Sequence, residues 1–464
     1  MSVGNRRRLE GSVMAEQVDV VVVGMGPGGE AAAGELAEAG LSVLGIDARL
    51  VGGECPYYAC VPTKMMVRAG NALAEARRIP GLAGHAGVDP DLTPVATRIR
   101  LEATDDWNDQ AAVDRFTRKG GRFVRGRARL VGPHTVEVNG QRFTARRAIL
   151  LNPGTEPVVP PIPGLAGTPL WTNREAVAVE RAPESLCVIG GGFVGLELAQ
   201  TFARFDTVTT IIEATDRLLA AEEPEAGELL VEVLSGEGID IRRGARVTRV
   251  DHDGAWFTVD LGAAQVRATN LLVATGRRTD LAGLGVGAIG LDPSARFLDS
   301  DAQMRVADGV WAIGDVTGRG AFTHMSMYQA AIAVRDILGQ PGPGAEYHAV
   351  PRVTFTDPEI GAVGLTEAQA RQRGMSVRVG FMPLAESARG WIHGVGNAGF
   401  VKLVADADSG VLVGATSAGP SGGEVLSGLA VAVHARVPTD RLAQMIHAYP
   451  TFHRAVWTAL TRLR

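Results

Sequence analysis

Residues 18–23, Val-Asp-Val-Val-Val-Val, form an almost continuous β-branched run that leads into Gly24-Met-Gly26-Pro-Gly28-Gly29 and then into an Ala-rich stretch, Glu30 to Ala39. Such a run has the pattern of a strand buried on both faces, and the stretch after the glycines has helical propensity. Gly40 follows, then a second strand from Leu41 to Ile46 that ends at Asp47. Gly24, Gly26 and Gly29 have the spacing G-x-G-x-x-G, with an acid about 20 residues further on. Glycine makes up 59 of the 464 residues, against a usual share of about 7%, so a lone glycine motif carries little weight. A strand before it, a helix after it and an acid at the right distance make it specific. Gly24 permits the tight turn, Gly26 lets a pyrophosphate approach the backbone, and Gly29 lets helix and strand pack closely. Free N–H groups and the positive end of the helix dipole then hold the phosphates.

The unit occurs twice. Ser185 to Ile189 is a strand, Gly190-Gly-Gly192-Phe193-Val-Gly195 the loop, Leu196 to Phe205 the helix, and Val208 to Ile212 a second strand ending in Glu213. A chain that binds two dinucleotides is most simply an enzyme passing hydride between a flavin and a nicotinamide. A carboxylate at Glu213 bonds a ribose 2′-OH and repels a 2′-phosphate, so NADH is expected over NADPH; Arg217 keeps the phosphate-binding alternative open.

Further along, Ala69 to Lys119 reads as helical, and strands are expected near Arg127 to Val138 and Arg147 to Leu151. Strands Asn270 to Ala274 and Val310 to Ile313 run into Gly276-Arg277 and Gly314-Asp315, placing glycine at the strand end where ligands bind in open α/β sheets. A linker-like Gly-Gln-Pro-Gly-Pro-Gly at residues 339–344 precedes a stretch that mixes short strands with helices. The fold class is therefore α/β, with two Rossmann-like dinucleotide-binding domains and a further C-terminal α+β domain. The expected division is a flexible tail at 1–17, one dinucleotide-binding domain at 18–165 and 290–345, a second at 166–289, and the α+β domain at 346–464.

With 46 basic against 51 acidic residues, a net charge of −5, the chain is too balanced to suggest nucleic acid or an acidic membrane surface as partner. No run approaches the roughly 20 apolar residues that cross a bilayer. The arginines near the start lack the apolar core of a secretory signal, so a cytoplasmic protein is expected, with Met14 an alternative start to Met1.

Only three cysteines occur, too few for a secreted framework, yet Cys55 and Cys60 lie close together in Gly52-Gly53-Glu-Cys55-Pro-Tyr57-Tyr58-Ala-Cys60-Val-Pro-Thr-Lys64. A close pair in a reducing cytosol is more often catalytic or metal-binding than a staple. Zinc needs four ligands, and no second pair with ligand spacing is present, so no metal site is expected. In an ideal helix five residues separate the two by roughly 7.5 Å, more than the span of about 4.4 to 6.8 Å a bridge allows; the turn must be distorted. Cys187, inside a strand, reads as inert packing.

Taken in order, Gly24–Gly29, the Cys55–Lys64 stretch, Gly190 to Glu197, Ala274-Thr-Gly276-Arg277, Ala312-Ile-Gly314-Asp315 and Phe355-Thr-Asp-Pro-Glu359 resemble the two-dinucleotide flavoprotein disulfide reductases, from Val18 to about Trp457. The family includes glutathione reductase, dihydrolipoamide dehydrogenase, mycothione reductase and mercuric reductase. The resemblance implies a homodimer that binds FAD and NAD(H) and reduces a small-molecule electron acceptor, with 18–165 and 290–345 the FAD-binding domain, 166–289 the NAD-binding domain and 346–464 the interface, or dimerisation, domain. It places Asp47 on the adenosine ribose and Asp315 on the ribityl chain of FAD, with Gly53 and Gly154 beside the same cofactor. It makes Phe193 the ring that covers the flavin until nicotinamide displaces it. Cys60 becomes the charge-transfer thiol, Cys55 the interchange thiol, and Lys64 and Glu197 an ion pair near flavin N5.

The pattern breaks at the C-terminus. The family's His-Pro-Thr, whose histidine is the acid–base group and is oriented by a glutamate five residues later, is here Tyr449-Pro450-Thr451, with Arg454 in the glutamate's place. Histidine titrates near neutrality and suits proton exchange, whereas tyrosine, near about 10, is a poor recycling base. His447 and His453 are nearby and read as surface or interface residues. Mercuric reductases also carry tyrosine here, but they resemble each other in a C-terminal cysteine pair, and this chain has no cysteine after Cys187. Asn152-Pro153-Gly154 replaces the usual Ala-Thr-Gly, and Pro56-Tyr57-Tyr58-Ala59 replaces the usual polar and glycine residues between the thiols. The expectation is an NADH-oxidising flavoprotein with a Cys55–Cys60 redox pair, no His/Glu dyad and an unassigned acceptor. The alternatives are a dihydrolipoamide dehydrogenase with a displaced base, a quinone or metal-ion reductase, and a low-turnover redox-sensing flavoprotein.

Overall fold

A computed structural model describes residues 15–464; most of the expected tail, with the choice between Met1 and Met14, lies outside the described residues. The first strand, Glu16–Val23, begins two residues inside that expected tail.

The chain forms two compact units. The first takes in residues up to Cys55, Trp107–Glu156 and Arg278–Ala345. Its sheet runs in the order Arg305–Ala307, Val310–Ala312, Gln141–Leu151, Glu16–Val23, Val43–Asp47, Arg122–Arg125, with the strands Arg129–Gly132 and Thr135–Val138 added beside Gln141–Leu151. The four central strands pair in parallel, Val20 to Val23 lying between Val43–Ile46 on one side and Ala148–Leu151 on the other. Val20, Val21, Val22, Ile149, Leu150 and Leu151 are wholly buried, which is why these strands read as unbroken apolar runs rather than alternating ones. Helix Pro27–Glu38 starts with proline in its first turn, where the missing N–H costs nothing, and packs against helix Thr323–Ile337 so closely that a Cβ on Gly28 would lie 2.2 Å from Ser326 Oγ.

The second unit comprises Pro56–Asp106, Pro157–Arg277 and Glu346–Arg464. One part is a parallel sheet ordered Asp240–Arg242, Val208–Ile212, Ser185–Ile189, Asn270–Val273, with an antiparallel three-stranded ribbon over residues 249–268. The other is an antiparallel five-stranded sheet, ordered Pro351–Thr354, Glu359–Gly364, Leu412–Gly419, Phe400–Asp406, Val377–Pro383. Helices Gly422–His434 and His453–Thr461 cover it through Leu426, Leu429, Ala455 and Ala459.

The units divide the chain differently from the expected domains in three places. Residues 278–289 belong to the first unit because Leu281, Leu284 and Val286 fill its core with Leu130 and Val310. Residues 56–106 belong to the second, where helix Cys60–Arg78 packs against helix Phe193–Arg204. Residues 157–165 also belong to the second, Ile162 and Leu165 packing with Cys187 and Val250. The stretch expected to be helical from 69 to 119 is helical only in pieces: Cys60–Arg78, Thr93–Arg98, a wider turn at Ile99–Ala103, and Gln110–Arg118.

The sheet strand Phe400–Asp406 carries one charge into the interior. The Lys402 side chain is 4% exposed and contacts Glu223 at 2.9 Å, Glu225 at 2.7 Å and Glu367 at 3.1 Å. Burial works to lower the Lys402 pKa, but the three carboxylates outweigh it and hold the ammonium above its ordinary value. Glu223 is itself 2% exposed, so removing the lysine strands a buried carboxylate. A Lys402→Ala protein is expected to lose about 3–5 kcal/mol of stability, read as a lower thermal or urea midpoint of the second unit.

Candidate active site

In the first unit Gly24 has φ +92°, and a Cβ on it would lie 2.1 Å from the carbonyl oxygen of Asn152. A Cβ on Gly29 would lie 2.0 Å from the Gly24 carbonyl oxygen. Only glycine fits at either position. Gly26 differs: its nearest neighbour in that direction is Asn152 Nδ2 at 3.2 Å. It caps the helix with no side-chain hydrogen bond, and a helix N-terminus of this kind suits a phosphate.

Asp47 belongs to this loop. Its Oδ2 accepts from Met25 N at 2.7 Å and its Oδ1 from Arg49 N at 2.7 Å. Burial pushes the carboxyl above its usual range while these two N–H groups oppose the rise. Gly53 supports the loop from below, a Cβ there meeting Gly26 Cα at 2.9 Å, and Gly52 N donates to Met25 O at 2.7 Å. Thr155 Oγ1 donates to Asp315 Oδ2 at 2.6 Å, so the Asn152–Thr155 strand exit and the Gly314–Asp315 turn meet in one place. Gly154 has φ +69° with no atom of the described residues within 4 Å of a Cβ placed there, and Gly314 has φ +76° with its N–H held by Gln329 Oε1 at 2.6 Å.

Asn152, noted in the sequence only as a departure, ties these parts together. With its amide turned to satisfy its neighbours it accepts from Gly29 N at 3.0 Å and donates to Ile313 O at 3.1 Å and Ser326 Oγ at 3.2 Å. An alanine offers none of these bonds. The signal was a polar residue immediately after the apolar strand end Ala148–Leu151.

The second unit repeats the geometry. Gly190 has φ +118° and a Cβ there would lie 2.4 Å from Ala274 O; one on Gly195 would lie 2.2 Å from Gly190 O. A Cβ on Gly192 would meet nothing within 4 Å among the described residues. Glu213 Oε2 accepts from Gly191 N at 2.7 Å, and its Oε1 accepts from Thr215 N at 2.7 Å and Thr215 Oγ1 at 2.8 Å. Two tight glycines and an acid on the loop recur with an open middle position, so both loops fit a dinucleotide pyrophosphate. Arg217 Nη2 donates to Ala220 O at 2.9 Å. Phe193, the first helical residue, is 42% exposed. Gly276 has φ +123°, and Arg277 Nη1 approaches Asn173 Oδ1 at 3.5 Å.

Cys55 lies in the short helix Glu54–Tyr57 and Cys60 starts helix Cys60–Arg78, both half-buried. Between them Ala59 has φ −135° and ψ −101°, a break in the helical path of the kind the pair's spacing demanded. Asn173 Nδ2 donates to Tyr58 O at 2.8 Å, and the Arg174 guanidinium lies 5.7 Å from the Tyr58 ring centre. Cys187 is wholly buried, and burial pushes its thiol up to about 12, so it is no nucleophile.

One turn into the Cys60 helix, Lys64 Nζ contacts Glu197 Oε2 at 2.5 Å, with Glu197 only 2% exposed. The other oxygen of Glu197 accepts from Phe355 N at 2.8 Å, and the Lys64 ammonium sits 4.6 Å from the Phe355 ring centre. The Phe355–Asp357 segment is itself clamped. Gln200 makes two hydrogen bonds to the Asp357 backbone, both 2.8 Å, while Arg204 and Arg78 reach the Asp357 carboxylate at 2.8 and 2.7 Å. Sequence reasoning found Lys64, Glu197 and the Phe-Thr-Asp-Pro-Glu motif but missed the clamp. Glu197, Gln200 and Arg204 recur at i, i+3 and i+7 on a helix whose other residues are mostly apolar, and that spacing was the available signal.

At the C-terminus Tyr449 is 73% exposed, and the Arg454 guanidinium stacks 3.9 Å from the Trp457 ring centre. His447 is half-buried, its Nε2 without a partner among the described residues. Burial, with Arg454 and His453 beside it, pushes its pKa down despite the hydrogen bond it donates to the Leu442 backbone. None of the described helices is long and apolar enough to cross a membrane.

Residues 18–333 match the family described as pyridine nucleotide-disulphide oxidoreductase, and residues 350–460 match its dimerisation domain. A dihydrolipoyl dehydrogenase from Thermus scotoductus is 34% identical over 464 residues, covering 96% of this chain and 97% of the relative. A mercuric reductase from Acidithiobacillus ferrooxidans is 32% identical, covering 94% of this chain and 81% of the relative. Among solved structures, the Cu(II) complex of the HOCl-induced flavoprotein disulfide reductase RclA from Escherichia coli superposes with a TM-score of 0.84 at 26% identity, over 96% of this chain and 99% of that one. Tandem glycine loops, the thiol-bearing helix and the matched dimerisation domain agree with these likenesses: the chain belongs to the pyridine nucleotide-disulphide oxidoreductase family, enzymes that use FAD and NAD(P)H.

Proposed function

We propose that this chain is a homodimeric reductase that oxidises NADH and reduces a small-molecule acceptor through the Cys55–Cys60 pair, without the histidine that serves ordinary disulfides and dithiols. The single observation that carries the reading is the intact machinery around the thiols beside an altered C-terminus. Lys64 and Glu197 are paired and clamped, while Tyr449 and Arg454 occupy the positions of a general acid and its orienting carboxylate.

Bound FAD supplies a two-electron relay between a nicotinamide and a dithiol. On this reading the Gly24–Gly29 loop and Asp47 hold its adenosine half, with Asp315, Thr155 and the turns at Gly53 and Gly154 beside its ribityl chain. The Gly190–Gly195 loop and Glu213 take the nicotinamide dinucleotide, with Gly276 and Arg277 at the neighbouring strand end and Phe193 guarding the entrance. Cys60 sits at a helix N-terminus, where the dipole favours negative charge on sulfur, and Cys55 faces the acceptor. In the overall reaction NADH, one proton and a disulfide give NAD⁺ and two thiols. The proton for the departing thiolate is the step that Tyr449 is poorly suited to recycle.

Anaerobic NADH titration of the FAD-loaded protein is expected to produce a long-wavelength absorbance band that persists in Cys55→Ser and vanishes in Cys60→Ser; a band that survives Cys60→Ser sinks the assignment. In an acceptor screen spanning disulfides, quinones and metal ions, Cys55→Ser should abolish disulfide turnover, and quinone turnover that survives the change identifies direct reduction at the flavin.

Glu213 supports NADH over NADPH, since a 2′-phosphate would meet a carboxylate while Arg217 is engaged by Ala220 O. The kcat/KM for NADH should exceed that for NADPH at least tenfold, or roughly 1.4 kcal/mol; equal values overturn the argument.

One second reading, a dihydrolipoyl dehydrogenase with a displaced base, is favoured by the Thermus relative's near-complete coverage. The two part company on a Tyr449→His/Arg454→Glu double change. We expect lipoamide turnover to rise by about 10²-fold, the lower end of the general acid–base range. Unaltered turnover would mean that the missing dyad is not what limits it.

A further inference from the structure

The interface domain contains a cavity of about 640 Å³ between strand Glu359–Gly364, helix Glu367–Gln372, the turn at residues 411–413 and the end of helix Gly422–His434. That volume is in the range of small-molecule sites. Its floor is apolar, formed by Leu365, Met375, Leu412 and Val433, and its polar lining holds three guanidinium groups and no carboxylate. Arg352 is neutralised by Glu222, two parallel bonds of 2.8 Å. Arg373 and Arg436 have no hydrogen-bond or ion-pair partner for their side chains among the described residues. Two exposed cations without partners among the described residues therefore line a cavity that these apolar side chains also line.

The backbone under Arg436 is an independent sign. Helix Gly422–His434 ends in a left-handed turn: Arg436 has φ +51°, Arg436 N bonds Val433 O at 3.2 Å, and Val437 N bonds Ala432 O at 2.9 Å. This is the double-bonded helix stop whose left-handed position glycine normally fills, because a Cβ there is strained. The chain uses glycine at most of its other left-handed positions but keeps an arginine here, on the cavity wall. A strained non-glycine residue retained at a cavity is the pattern of a functional site.

We propose that this cavity binds an amphipathic anion, a carboxylate or phosphate monoester on a short apolar body. The head group pairs with Arg373 and Arg436, since guanidinium groups suit both oxyanions, and the apolar body lies on Leu365, Met375, Leu412 and Val433. All lining residues fall within 347–436, apart from the glycine loops and the thiols.

Calorimetric titration of the FAD-loaded full chain with octanoate, octyl phosphate, inorganic phosphate and 1-octanol tests this. At least one of the two amphipathic anions is expected to bind saturably, and the tighter one identifies the head group. Inorganic phosphate and 1-octanol should bind at least tenfold more weakly. Arg436→Gly should cost at least tenfold in affinity while the thermal midpoint stays the same or rises, because the strain is relieved; a purely structural arginine gives the opposite pattern. Arg373→Gln, at an exposed position, should also weaken binding at least tenfold. Arg371→Gln, outside the cavity lining, should leave it unchanged. The proposal is overturned if neither amphipathic anion binds saturably, if octanol or phosphate binds as well, or if both cavity variants keep full affinity.

Discussion

Both cofactor loops depend on one steric constraint, a strand end pressed against the carbonyl of the neighbouring strand's end. Gly24 sits against Asn152 O and Gly190 against Ala274 O, at separations that leave no room for a Cβ. The left-handed backbone at these two glycines turns the chain directly from strand into helix, and the second glycine of each contact, Gly29 or Gly195, lets the helix close back over the turn. The helix N-terminus is thereby aimed past the sheet edge, where a phosphate can reach it. The acid at the end of the next strand is part of the same construction. Asp47 and Glu213 each spend both carboxylate oxygens on backbone N–H groups, one of them inside the glycine loop. Glu213 Oε1 also accepts from Thr215 Oγ1, so in both units the acid after the second strand holds the glycine loop in shape.

Helix Phe193–Arg204 extends this construction. Its first turn belongs to the second glycine loop, its Glu197 holds Lys64, and its Gln200 and Arg204 clamp the Phe355–Asp357 segment. Buried charges of this kind are weak as stabilisers, because their desolvation offsets much of the attraction. Here almost every donor and acceptor is matched, and the benefit lies in position. Lys64 is held from two sides, by the Glu197 carboxylate and by the face of Phe355, while the backbone of Phe355 fixes Glu197 in turn. Lys64 lies on the Cys60 helix itself, and on the proposed reading an ammonium kept in place one turn from Cys60 serves charge chemistry there better than a freely moving one, since little reorganisation is left to do.

Where local signal was strong, the sequence was read correctly. The parallel strands Val18–Val23, Ser185–Ile189 and Val208–Ile212, the glycine loops and the Lys64–Glu197 pair all carry periodicity or spacing that one physical rule explains. The reading failed where contacts are made over long sequence distances. Nothing local announces that residues 56–106 pack with the helix at 193–204, or that Leu281, Leu284 and Val286 complete the core of the first unit. The polar segment after Arg78 has helical composition, yet no apolar stripe long enough to sustain one helix, and it breaks into short pieces. Asn152 and Arg204 show a different limit. Both are polar residues in apolar surroundings, visible in the sequence as exceptions, but the partners of Asn152, and Asn71 and Asp357 among those of Arg204, lie more than a hundred residues away along the chain.

The C-terminal departure is confined by the same architecture. Within the second unit, the Lys64–Glu197 pair rests on helices Cys60–Arg78 and Phe193–Arg204 and is met by residues 355–357. Tyr449 and Arg454 make none of these contacts. Arg454 lies on Trp457, and Tyr449, Ile446 and Met445 are all exposed. An apolar cluster so open in one chain fits a surface that a second copy covers, in keeping with the family's dimerisation domain. Replacing histidine and glutamate by tyrosine and arginine thus alters a segment that contributes nothing to the support of the thiols in its own chain. On the proposed reading, in which the Cys55–Cys60 pair is the reducing side, such a change bears on what reaches the thiols from outside.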